Sequence, residues 1–107
     1  MSYSDELLFE NIDEPNLKSI GVYEQRGGYS ELKRILTGVD PEIVLQELQA
    51  SGLRGRGGAG FAMGTKAGFL PKGDMDKYLC CNADESEPGT FKDRELMQKN
   101  PHQLIEG

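Results

Sequence analysis

A chain of 107 residues with a formal net charge of −6 holds at most one domain, and only a modest core. Its 36% hydrophobic and 28% charged content, 14 glycines and lack of tryptophan imply a loop-rich domain or a piece of a larger one. The pI of about 4.7 argues against a general nucleic-acid or anionic-membrane surface. No apolar run approaches the roughly 18 residues of a membrane span, and the polar, acidic N-terminus lacks a signal-peptide pattern.

Residues 1–14 carry Asp5, Glu6, Glu10, Asp13 and Glu14 and no base. With Leu7-Leu8-Phe9 and then Pro15, they read as an irregular or extended arm across a surface, the acids solvated. Residues 19–23 predict a short strand, followed by a turn at Gly27-Gly28. Ser30 suits the N-cap of a helix through Leu36, with Gly38 as its stop. Asp40-Pro41-Glu42 is a stronger start: a capping aspartate, proline at the first helical position and an acid in the first turn. That helix runs from Pro41 to about Ala50, with Ile43, Val44 and Leu48 on one stripe and Glu42, Gln46 and Gln49 facing outward. Gly52 ends it and delivers the chain into Leu53-Arg54-Gly55.

Residues 55–66 are the densest signal. Five of these twelve are glycine, with Arg56 and Lys66 among them. Glycine is entropically costly to order, so such a cluster marks backbone passing close to something. Exposed N–H groups beside two cations form a cradle for phosphate or another anion. A flexible linker is the competing reading, although linkers rarely interleave arginine, phenylalanine, methionine and lysine so tightly. Gly64-Thr65-Lys66 has the wrong order for a Walker loop. Gly55-x-Gly57-x-x-Gly60 has the spacing of the dinucleotide fingerprint, but follows a helix where that fingerprint follows a strand.

Residues 67–74, with two glycines and a proline, form an irregular connection. Tyr78-Leu79-Cys80-Cys81 reads as a buried strand of a parallel sheet. Its adjacent cysteines read as reduced thiols of a cytosolic protein, because vicinal pairs bridge poorly and no other cysteine completes a metal or cluster site. Asn82-x-Asp84-Glu85-x-Glu87 follows, at the strand end where open α/β sheets place ligands. These groups suit a metal, acid–base work, or the N–H and O–H donors of a heterocycle and ribose; a solvated acidic turn is the plain alternative. Thr90-Phe91-Lys92-Asp93 outlines a capping box for a helix through Arg94, Leu96 and Met97 to about Lys99. Asn100-Pro101 restarts a helix with a cap and proline, and His102 in its first turn reads as a surface or capping residue.

Together, residues 51–61, Gly64, Lys66, Lys77-Tyr78-Leu79, residues 81–85 and residues 87–94 resemble one family. It is the NADH-binding, FMN-carrying subunit of respiratory complex I (NADH-quinone oxidoreductase), with the related flavin subunits of NAD-reducing hydrogenases and NAD-dependent formate dehydrogenases. The resemblance is strong over residues 50–107 and loose before them. It implies an α/β fold: a truncated, partial Rossmann-like FMN/NADH-binding domain with a parallel sheet. Residues 1–50 would be an N-terminal arm and helices, and residues 51–107 the N-terminal part of that domain. Gly55, Arg56, Gly57, Gly58, Ala59, Gly60, Phe61 and Gly64 match the family's NADH-binding loop, which also passes the flavin phosphate. Arg56, Gly57 and Lys66 would hold FMN, Lys66 near its phosphate. Phe61 and Phe69 resemble the aromatics that stack on the adenine end of NADH. Asn82 and Asp84 match FMN-contacting positions with Glu85 close by, and Glu87 matches an acid facing the nicotinamide nucleotide.

The implied cofactors are FMN and NAD(H), with a 4Fe-4S cluster in the full-length parent only. The implied activity is hydride transfer from NADH to FMN, with electrons passed on through iron–sulfur clusters towards quinone. Implied partners are the other subunits of a complex I-like, hydrogenase or formate dehydrogenase assembly, with no nucleic acid and no direct membrane span. The implied location is cytoplasmic, peripheral to the inner membrane when assembled. The sequence departs from the family at Ala62-Met63-Gly64-Thr65-Lys66-Ala67, where Pro-Thr-Gly-x-Lys-Trp is usual, and so loses a large packing group behind Lys66. The family's later flavin-binding segment and cysteine-rich motif have no counterpart. The sequence therefore reads as the N-terminal part of such a protein, expected to bind FMN weakly and to be inactive alone. The alternative is a non-catalytic binding or assembly module, or a truncated product without function.

Overall fold

The computed structural model describes residues 7–107. Two compact units are present: residues 7–32 together with Cys80–Gly107, and Lys33–Leu79. Asp5 and Glu6 of the expected arm lie outside the described residues. Residues 7–13 form successive turns, with the Ile12 N–H donating to the Phe9 carbonyl and the Glu14 N–H to Asn11.

In the first unit the strand expected at residues 19–23 is instead a helix, α1, Ile20–Gln25. The Ser19 carbonyl accepts the Tyr23 N–H at 3.0 Å, so the backbone closes on itself. A strand needs an external partner to take up these groups. The chain turns out of α1 through Gly27, at φ 91°, and Gly28 lies against the Tyr23 ring. A Cβ at Gly28 would sit 2.1 Å from the ring's Cδ1.

Tyr23, Tyr29 and His102 form an aromatic cluster. Ring centroids are 5.1 Å apart for the two tyrosines, 5.4 Å for Tyr23–His102 and 5.6 Å for Tyr29–His102. His102 Nε2 lies 2.9 Å from the Lys18 carbonyl, which can only accept, so this nitrogen donates. In the neutral ring Nδ1 then accepts the Tyr29 hydroxyl at 2.8 Å. The Tyr23 hydroxyl donates to Glu106. Burial, and then this carboxylate, push the Tyr23 phenol well above its ordinary range. Two helices complete the unit: α5, Lys92–Lys99, and α6, Pro101–Glu106. Asn100 between them is buried; its backbone N–H donates to the Leu96 carbonyl at 2.8 Å and closes α5, but its side chain does not cap α6, its Nδ2 donating instead to Gln103 Oε1 at 2.9 Å. Among the described residues Leu17 is the buried large apolar side chain.

Helix α2, Ser30–Leu36, leads into the second unit. Ser30 is its first residue, with its hydroxyl donating back to the Gly27 carbonyl at 2.7 Å. Gly38, at φ 122°, follows the helix end. Helix α3 spans Pro41–Ser51. Asp40 accepts the Glu42 N–H at 2.9 Å, and Gly52 closes the helix in the left-handed conformation at φ 67°. The inward stripe is Val44, Leu45 and Leu48, all half-buried, whereas Ile43 stays 48% exposed. Helix α4, Met63–Ala67, packs on α3.

Among the described residues no β-strand forms, and the one β-type pairing is an isolated antiparallel bridge between Arg54 and Ala62. The expected parallel sheet is therefore not found. Tyr78 is 86% exposed, Leu79 is 97% exposed, and Cys80 and Cys81 are exposed free thiols, not residues of a buried strand. No described backbone group hydrogen-bonds to residues 78–81, and a strand cannot be buried without such partners. No helix among the described residues is long and apolar enough to cross a membrane.

Two outcomes follow from the aromatic cluster. Gly28→Ala overpacks the Tyr23 ring and lowers stability by about 1–3 kcal/mol in urea unfolding. Because folding raises the Tyr23 pKa, its contribution is complete below the unfolded phenol value of about 10 and declines as pH rises beyond it. Tyr23→Phe therefore shows a smaller alkaline loss of stability than the parent chain when unfolding is followed against pH.

Candidate functional site

The glycine loop lies in the unit Lys33–Leu79. Its base is closed by two hydrogen bonds, the Gly55 N–H to the Phe61 carbonyl at 2.8 Å and the Met63 N–H to the Leu53 carbonyl at 2.9 Å. At its tip the Gly60 N–H donates to the Gly57 carbonyl at 3.1 Å. The sequence enters this loop from α3, as its spacing predicts, and leaves it directly into α4.

The glycines serve different ends. Gly60 takes a positive φ of 56°. Gly64 is buried, and a Cβ there would stand 2.6 Å from the Gln49 Cα, so glycine is what lets α4 approach α3. Gln49, read from the sequence as outward-facing, is exposed, yet its backbone is the surface on which Gly64 packs. Gly57 and Gly58 differ again: their φ values are not positive, and a Cβ at either would meet nothing within 4 Å. Nothing in the described chain requires glycine at these two positions.

Arg56, Ala59 and Lys66 are exposed. Neither cation pairs with a carboxylate among the described residues. Phe61 and Phe69, 49% and 70% exposed, are brought together with ring centroids 6.1 Å apart and planes inclined by 51°. The loop thus combines open backbone, two unpaired cations and an accessible aromatic pair.

The acidic segment belongs to the other unit. Asn82 accepts the Asp84 N–H at 3.0 Å in an Asx-type turn, and Ser86 donates to Asp84 at 2.9 Å. Glu87 is exposed, and its carbonyl accepts the Thr90 hydroxyl at 2.6 Å. The capping box expected at Thr90 and Asp93 does not form: that hydroxyl is spent on Glu87, and Asp93 pairs with Lys92 at 2.9 Å. Phe91, without a capping side chain, occupies the N-cap. Instead Glu85 reaches the helix, accepting the Arg94 N–H at 2.8 Å. Asn82 also borders an apolar cavity of about 460 Å³ with Leu96, Met97 and Leu104. Among the described residues no group of three or more His, Cys, Asp or Glu is placed to hold a metal ion.

Sequence reasoning missed Gln49 and the Glu85–Arg94 contact, neither of which carries a local signal. The glycine density did mark the loop.

Residues 48–107 match the family model described as the Nuo51 FMN-binding domain. The chain belongs to that family. It is 51% identical over 102 residues to the F 2 subunit of NADH-quinone oxidoreductase from Rhizobium meliloti (strain 1021), an alignment covering 94% of this chain and 24% of the relative. It is 47% identical over 87 residues to the F subunit of NADH-quinone oxidoreductase from Escherichia coli (strain K12), covering 79% and 20%. The corresponding F subunit of Aquifex aeolicus (strain VF5) is 46% identical over 101 residues, covering 94% and 24%. The chain thus spans about a quarter or less of the length of these relatives.

The two kinds of glycine separate experimentally. Gly64→Ala drives a methyl group into the Gln49 backbone and destabilises the chain by about 1–3 kcal/mol. Gly58→Ala leaves stability within about 1 kcal/mol of the parent, on the stabilising side, since it restricts only the unfolded chain. Thermal unfolding of both variants checks the contrast.

Proposed function

We propose that this chain forms part of the FMN- and NADH-binding site of an NADH dehydrogenase flavoprotein subunit. The observation that carries this reading is the pair Gly57 and Gly58, glycines that the chain's own packing does not require. A phosphate or a flavin edge approaching the backbone supplies the missing reason, because any side chain would hold it away. The family match and the NADH-quinone oxidoreductase names of the relatives point the same way.

In this reading the N–H groups at Gly57, Gly58 and Ala59, with Arg56 and Lys66, receive the FMN phosphate and the adjoining nucleotide. Gly55 and Gly60 shape the loop. Phe61 and Phe69 offer a stacking surface to the adenine end of NADH. Asn82 and Asp84 accept from ring and hydroxyl donors of the flavin, and Glu87 faces the nicotinamide nucleotide. FMN, when bound, supplies hydride acceptance from NADH and release of single electrons towards iron–sulfur clusters and quinone; the 4Fe-4S cluster belongs to the complete protein. Residues 78–81 keep the composition of a strand in a Rossmann-like parallel sheet. The wider setting is cytoplasmic, against the inner membrane, with other complex I-type subunits as partners.

A chain that spans about a quarter or less of its relatives' length binds FMN weakly and oxidises NADH negligibly in this reading. Titration by flavin fluorescence quenching tests this. Lys66→Ala and Gly58→Ala each weaken FMN binding roughly tenfold, the scale of one charge-assisted hydrogen bond. A folded chain with no measurable FMN binding defeats the proposal. A yellow chain that oxidises NADH as fast as a longer flavoprotein of this family defeats the expectation of negligible oxidation.

A further inference from the structure

Glu85 stands apart from the other acids of its segment. It is half-buried where Asp84 and Glu87 are exposed, and its Oε1 accepts the backbone N–H of Arg94, nine residues ahead, at 2.8 Å. Arg94 is the third residue of α5, so this N–H is one that no intrahelical carbonyl can satisfy. The side chain of Phe91 at the N-cap offers no acceptor, and the Thr90 hydroxyl is turned back onto the Glu87 carbonyl. The carboxylate therefore does from outside the helix what a capping side chain does from its first turn, and its charge suits the positive end of the helix dipole. Between its two ends the bond encloses Glu87, Pro88 and Gly89, the last at φ 84°. On the other side lie Asn82 and Asp84, already tied to each other and to Ser86.

Resting on the FMN reading above, we infer that Glu85 is a positioning residue: its hydrogen bond to α5 sets where Asn82, Asp84 and Glu87 stand, and its carboxylate does not touch the flavin. The acceptor, not the charge, does most of this, so glutamine at the same position keeps the function and alanine loses it.

Amide hydrogen exchange at Arg94 and FMN affinity, measured together on the 107-residue chain, test the inference. Glu85→Ala speeds Arg94 exchange roughly tenfold, the effect of losing one helix cap, and weakens FMN binding by a similar factor. Glu85→Gln restores both. If Glu85→Ala and Glu85→Gln weaken FMN binding equally while Arg94 exchange stays at the parent rate, Glu85 is a direct flavin contact and the inference is overturned. If Glu85→Ala speeds exchange but leaves FMN affinity intact, the cap is structural only and the positioning role falls. A parent chain that binds no FMN removes the functional reading itself; a parent that binds FMN alongside a failing variant pattern removes only the role given to Glu85.

Discussion

The close approach of Gly64 to the Gln49 backbone is the constraint on which the second unit depends. Helix α4 has five residues and cannot hold itself together by its own hydrogen bonds. It persists because it lies on α3, and it lies there because position 64 has no side chain. Helix α3 is secured at both ends, by Asp40 at its start and the left-handed Gly52 at its end. The loop between the two helices therefore has fixed ends, and the Gly55 and Met63 hydrogen bonds tighten its base. Its tip, at Gly57 and Gly58, is the part left open.

Local chemistry was legible and long-range chemistry was not. Asp40-Pro41 and Gly52 bracket α3 as their capping preferences require, because those preferences act within one turn. The end of α5 at Lys99 and the restart at Pro101 were equally visible. The failures concern partners distant in sequence. Residues 19–23 have strand-like composition, but no neighbour takes up their backbone groups and they coil into α1. Thr90 and Asp93 have nearly the right spacing for a capping box, yet Glu85 is better placed to serve the helix. The aromatic cluster of Tyr23, Tyr29 and His102 joins positions more than seventy residues apart. No pattern in the sequence announces it.

The candidate site was legible as a density of glycine, but not as a division of labour. One count of glycines conceals a residue that admits a neighbouring helix, one that takes a left-handed turn, and two with no internal duty. Only the last two have no role in the packing of the described chain. The acids after Cys81 divide in the same way. Asp84 and Glu87 remain exposed, while Glu85 is turned inward to a helix.

The uncovered run of residues 78–81 has a consequence for behaviour in bulk solution. An apolar segment with unengaged backbone groups is a template for pairing with other copies of itself. Here it is bracketed by charge, with Asp74, Asp76 and Lys77 before it and Asp84, Glu85 and Glu87 after it. Such flanking charges act as gatekeepers, because stacking two copies in register brings like charges together. These acids thus also contribute to the colloidal stability of the chain, and neutralising several of them at once would promote self-association.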